Sequence, residues 1–129
     1  MQMDAFMNTG VSKADVLERR LIDFAGEILT LSSKLPRTPQ GRHITQQILR
    51  SGTAVAANHG EARGAESRAD FVHKLRVVFK ELNETTIWLE LLIKTCPVIA
   101  ENPTSIIREN RELCRIIAAS IKTATRSEK

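Results

Sequence analysis

The residues able to do chemistry in this 129-residue chain are few, and their spacing argues against most reactions. His43, His59 and His73 have no cysteine near enough to complete a zinc site, and Cys96 and Cys114 fit neither CxxC nor another metal-ligand spacing. A di-iron bundle needs a Glu-x-x-His pair on each of two helices, and the nearest approach is the single Asp70-Phe71-Val72-His73. Half a site is no metal site, so each histidine reads as a partly exposed surface or interface residue. Ser51 lacks any motif that would activate its hydroxyl. The chain is therefore expected to be a non-enzyme with no catalytic residue, no metal and no cofactor.

Charged side chains carry more information. On a 3.6-residue period Arg50, Ala54, Ala57 and Glu61 share one side of a helix, separated from its apolar seam. Arg50 and Glu61 lie about 16 Å apart at 1.5 Å per residue, so each needs a partner elsewhere, with Glu81, Glu84 or Lys80 as candidates. A structural network of Arg50, Asn58, Glu61, Glu81 and Glu84 is expected, with Asn58 fixing register on the seam; a ligand pocket built from the same groups is the alternative. Further on, Arg108, Arg111, Arg115, Lys122 and Arg126 step by three, four, seven and four residues, which puts five cations in a narrow arc. No acid falls within that arc, and it runs about 27 Å, enough to follow several phosphates. Arg76 and Lys80, with His73, add cations to the preceding segment. A solvated surface face is the plain reading of such a stripe, but surfaces normally mix both signs. With no Tyr and one Trp, recognition would be of the nucleic-acid backbone rather than by base stacking.

These groups must be positioned by helices. Six Gly, four Pro and 4% aromatic residues disfavour a sheet sandwich or a Gly-rich nucleotide loop, and 42% hydrophobic residues in this length suit one core. Segment one opens on a capping box, Ser12 to Asp15, and closes near Leu35-Pro36; its seam is Leu17, Leu21, Phe24, Ile28, Leu31 and Leu35. Segment two runs from Thr38-Pro39 to Arg63-Gly64, with Ile44, Ile48, Ser51, Val55, Asn58 and Ala62 inward. Segment three starts with a second capping box, Ser67 to Asp70, and reaches the Cys96-Pro97 stop. Segment four starts at Asn102-Pro103, carries Ile106, Leu113, Ile117, Ile121 and Ala124 on one stripe, and frays near Arg126. Short connections favour an all-α, up-down-up-down antiparallel four-helix bundle over 12–126, with a disordered segment at 1–11 and a frayed end at 127–129.

A lone bundle does not account for every apolar residue. Between Ser51 and Asn58 the helix has no charge on any side, and Ile87 and Leu91 point away from the seam, as do Ile22 and Leu29 on segment one. Single exposed apolar residues are ordinary, but three affected helices indicate a homo-oligomer whose interface includes Ala54, Ala57, Ile87, Trp88 and Leu91. The net charge of +4 resides between Arg42 and Lys80, where seven basic residues face three acidic ones. The first ten residues do not read as a secretion signal, and no stretch is long and apolar enough for a membrane span. A cytoplasmic protein with two free thiols is expected.

The residues Gln47-Ile48-Leu49-Arg50-Ser51, Ala57-Asn58, Glu61-Ala62, Asp70-Phe71, Lys80-Glu81, Glu84 and Trp88-Leu89 carry a resemblance. Together they resemble the small four-helix-bundle family encoded in intervening sequences of bacterial 23S ribosomal RNA genes, over roughly Phe24 to Lys94. The chain departs from the pattern at Ala54, where family members often carry Ser. The resemblance implies a bundle assembled as a ring-like homopentamer, similar to the accessory variability determinant of diversity-generating retroelements, which acts with a reverse transcriptase and nucleic acid. Two functions follow as expectations: a nucleic-acid-associated oligomer, or a protein-protein interaction scaffold that binds no nucleic acid.

Overall fold

The computed structural model describes residues 12–96 and 104–126, and its four helices are α1 (Lys13–Ser32), α2 (Pro39–Arg63), α3 (Arg68–Thr95) and α4 (Thr104–Arg126). The expectations for 1–11, for 127–129 and for the Asn102-Pro103 start lie outside the described residues.

Local chemistry sets the helix boundaries. Ser12 caps α1 with its hydroxyl accepting from the Asp15 N–H at 3.0 Å, and the Asp15 carboxylate returns the contact to the Ser12 N–H at 3.2 Å. Thr38 caps α2 by accepting from the Gly41 N–H, with Pro39 in the first turn. Gly41 is required there, because a Cβ would lie 1.9 Å from the Pro36 carbonyl oxygen. The second capping box is only half formed. Ser67 accepts from the Asp70 N–H, but the Asp70 carboxylate accepts from the Glu66 N–H instead of that of Ser67. The backbone at Ser67 (φ −152°) is more extended than at Ser12 (φ −92°), which turns its N–H out of reach.

The expected seams form the core. Leu21, Phe24 and Ile28 of α1 meet Ile48 and Val55 of α2, Leu82 and Leu89 of α3, and Leu113 and Ile117 of α4, all at most 1% exposed. Each helix packs on its sequence neighbour, and α4 returns to α1 by a thinner contact, which makes α1 and α3 diagonal. Ion pairs tie the helices along their edges: Arg63 of α2 to Asp15 and Glu18 of α1, and Arg20 of α1 to Glu109 of α4 through two hydrogen bonds. At Gly52 the α1–α2 approach is close enough that a Cβ would sit 2.9 Å from the Ile28 side chain. Two polar pins cross the core. The Ser51 and Thr85 hydroxyls lie 2.8 Å apart between α2 and α3, and Asn110 of α4 joins the Thr86 hydroxyl and, at 3.3 Å, the Leu82 carbonyl of α3.

Candidate nucleic-acid interface

The apolar stripe of α4 fixes where its cations go. With Leu113 and Ile117 fully buried, the same helical period carries Arg108, Arg111, Arg115, Lys122 and Arg126 to the opposite side, and all five are exposed. The last turn of α3 brings Lys94 beside them. Between the two helices runs an open groove of about 650 Å³ with Ile93 and Ile107 in its lining, bordered by Lys94, Arg108, Arg111, Arg115 and one acid, Glu90. Lys94 was not singled out by the spacing of α4, since it belongs to another helix.

Acids flank the stripe rather than interrupt it. Glu112 pairs with Arg115 at 2.6 Å one turn away, and Glu90 reaches Arg111 at 4.0 Å from α3. Among the described residues Arg108, Lys122 and Arg126 form no ion pair. Arg76 and Lys80 also project into solvent and form no ion pair among the described residues; they stand on the outer side of α3, where they share a face with Ile87 and Leu91 rather than lining the groove. Trp88 is half-buried: its indole N–H donates to Glu84 at 3.0 Å and His43 meets its ring edge-on at 6.1 Å. Among the described residues no Phe or Trp ring is fully exposed for base stacking.

The expected polar network forms mainly between α2 and α3. Arg50 donates to Glu81 at 3.2 Å and to Glu84, and Lys74 donates to Glu61 at 2.8 Å, a partner that had not been among the candidates. The Trp88 N–H and then Arg50 hold the Glu84 carboxyl below its ordinary range. The network lies on the outside of the bundle, with the Arg50 side chain 49% exposed. Pairs of that exposure contribute about 0.2–1 kcal/mol each, not the several kcal/mol of a buried pair. Asn58 does not bridge helices: its amide donates to the Ala54 carbonyl one turn back. The register-setting role falls to Asn110, which is 1% exposed and was missed because charged neighbours surround it in sequence. Its place four residues after Ile106 and three before Leu113, squarely on the apolar stripe, was the available signal.

Other expected residues are placed as follows. Ala54 is half-buried and Ala57 exposed, while Ile87 and Leu91 are 62% and 38% exposed. His43 and His73 lie at the surface, but His59 does not. It is 4% exposed, because it continues the buried Gly52-Val55 line of α2, and its Nδ1 finds no hydrogen-bond partner among the described residues. Burial pushes its pKa below the ordinary histidine value; Glu18 opposes that shift and Arg63 adds to it. Cys96 is buried and Cys114 half-buried, and burial raises the Cys114 thiol. Among the described residues no three or more His, Cys, Asp or Glu side chains gather where a metal could bind, and no helix is long and apolar enough to cross a membrane.

Comparison with known proteins agrees with this architecture. A family model described as 23S rRNA-intervening sequence protein matches residues 15–119. The chain is 40% identical to a crystal structure of a protein of unknown function from the S23 ribosomal protein family of Bacteroides thetaiotaomicron VPI-5482. That match covers 86% of this chain and 99% of the other, with a TM-score of 0.78. No curated protein matches the chain.

Proposed function

The chain belongs to the 23S rRNA-intervening sequence protein family, and from that premise we propose a non-enzymatic, homo-oligomeric bundle that associates with the phosphate backbone of RNA or DNA in the cytoplasm. The observation that carries the reading is the outer face of α4, where five exposed cations stand against two acidic partners and Lys94 extends the line onto α3. A row of this kind releases counterions from phosphates and needs no base contact, so binding is sequence-independent and weakens steeply with salt. The pentameric ring and a reverse-transcriptase partner, both implied by the family resemblance, belong to the same proposal.

The test is the affinity of the protein for a generic duplex over a salt series. We expect log K to fall linearly with log salt by about 0.9 per phosphate neutralised. Reversing Arg108, Arg115 and Arg126 to Glu should abolish binding to every sequence while the helical circular dichroism stays unchanged, since all three side chains are exposed. The scaffold reading is favoured by a different observation, the exposed Ile22, Leu29, Ile87 and Leu91. It becomes the better one if the unaltered protein has no affinity for RNA or DNA at low salt.

A further inference from the structure

Between Glu27 and Glu61 the sequence holds no Asp or Glu, while Lys34, Arg37, Arg42 and Arg50 all fall within that stretch. Arg50 is paired with Glu81 and Glu84 of α3. Arg37 and Arg42 are exposed, form no ion pair among the described residues, and border an open pocket of about 460 Å³ where α1 ends and α2 begins. Leu35 and Pro36 give the pocket an apolar wall, and no acid among the described residues lines it. The carboxylates of the surrounding helices are turned elsewhere: Glu27 and Lys34 line the depression between α1 and α4, Glu84 is held by Arg50 and Trp88, and Glu90 lies in the α3–α4 groove.

The turn itself is stiff. Pro36 and Pro39 fix φ on either side of Arg37 and Thr38, and the missing Cβ at Gly41 lets the first turn of α2 close on the Pro36 carbonyl. Arg42 donates to the Arg37 carbonyl at 3.0 Å, which lays its guanidinium against the turn and leaves most of its N–H donors open. The pocket's hydroxyls are already engaged, since Ser32 and Ser33 donate to carbonyls of α1 and Thr45 to one of α2. What is left to meet a ligand is two guanidinium forks and the exposed Gln46 amide, a donor set with the geometry of an oxyanion.

We propose that this pocket at the α1–α2 turn binds a phosphate monoester, with Arg37 and Arg42 clasping its oxygens and Gln46 donating to one of them. A monoester carries about −1.5 to −2 charges at pH 7, which two guanidiniums match, whereas a diester inside a strand carries a single charge. The site is separate from the α4 stripe: it takes one terminal phosphate, where the stripe follows a run of backbone phosphates, and it does not depend on that reading. Two sources share the chemistry, the 5′ end of a nucleic-acid strand and a free phosphorylated small molecule.

Backbone-amide NMR of the full chain, titrated with inorganic phosphate and with adenosine monophosphate, tests the site. Both probes should shift the Arg37, Arg42 and Gln46 signals saturably, and adenosine, which lacks the phosphate, should not. Arg37→Gln with Arg42→Gln should weaken adenosine monophosphate binding at least about tenfold while the helical circular dichroism stays unchanged, since both side chains are exposed. Gln46→Glu leaves both arginines in place and should weaken binding as well, because it sets a carboxylate in the pocket. The variant with Arg108, Arg115 and Arg126 reversed to Glu should keep full affinity for adenosine monophosphate, so failure of this site and failure of the α4 reading are told apart. In that same variant, tighter binding of a 5′-phosphorylated than of a 5′-hydroxyl oligonucleotide assigns the monoester to a strand end. Equal binding of the two, beside saturable adenosine monophosphate, assigns it to a free phosphate ester. No saturable shift at these residues, or full affinity in the double Gln variant, overturns the proposal.

Discussion

His59 is the residue whose chemistry the fold changes most. It is buried on α2, its Nδ1 has no hydrogen-bond partner among the described residues, and burial depresses its pKa from the ordinary value of 6.5. In the pH window below that value the unfolded chain binds a proton that the folded chain does not, so stability rises with pH across it. The contribution of neutral His59 is fully present above the unfolded value and is lost as the pH falls from there toward the depressed one. Urea unfolding should accordingly give a lower midpoint at pH 5.5 than at pH 7.5, with a smaller difference in His59→Leu. A variant that keeps the full difference would show that His59 is not its cause. Asp15 itself is held low by the Ser12 N–H and then by Arg63, so its contribution disappears at more acidic pH.

At the scale of helices, the glycines of α2 separate positions that packing demands from positions it leaves open. A Cβ at Gly52 would lie 2.9 Å from two carbons of the Ile28 side chain, whereas at Gly60 it would meet nothing within 4 Å. Gly52→Ala is expected to destabilise the bundle by about 1–3 kcal/mol, as an extra methyl forces α1 and α2 apart. Gly60→Ala should stabilise it by about 0.5–1 kcal/mol through the lower backbone entropy of the unfolded chain. Chemical denaturation of the two variants checks the pair of signs, and two equal effects would contradict the closeness of the α1–α2 contact. The same scale explains why the buried polar pins matter. Thr85 and Thr86 also reach carbonyls of their own helix, whereas Ser51 and Asn110 meet Thr85, Thr86 and the Leu82 carbonyl only when α2, α3 and α4 stand in this register.

For the whole molecule, charge and assembly act together. In the proposed oligomer each subunit would present one α4 stripe, and repetition would turn contacts that are weak singly into an effectively intramolecular series. On a long duplex a Leu91→Glu variant, which puts a carboxylate on an apolar face expected at the subunit interface, should bind at least about tenfold more weakly than the unaltered protein. Duplexes too short for two stripes should be bound equally by both. Fluorescence anisotropy over a range of duplex lengths measures this, and equal affinities on long duplexes would mean that each stripe acts alone.

The starts of α1, α2 and α3 were legible in the sequence, because caps such as Ser12, Thr38 and Ser67 depend on interactions within a few residues, whereas α1 ends at Ser32, short of the expected Leu35-Pro36. The outward direction of the α4 cations was legible for the same reason, as helical period alone determines it once the apolar stripe is assigned. Which helices become neighbours, and how closely, was decided by tertiary packing. That packing buried His59, left Arg50 half-exposed, moved the register-setting amide from Asn58 to Asn110, and brought Lys94 to the α4 groove. Each of these depends on a side chain from another helix, and spacing along one chain segment holds no measure of the distance to the next.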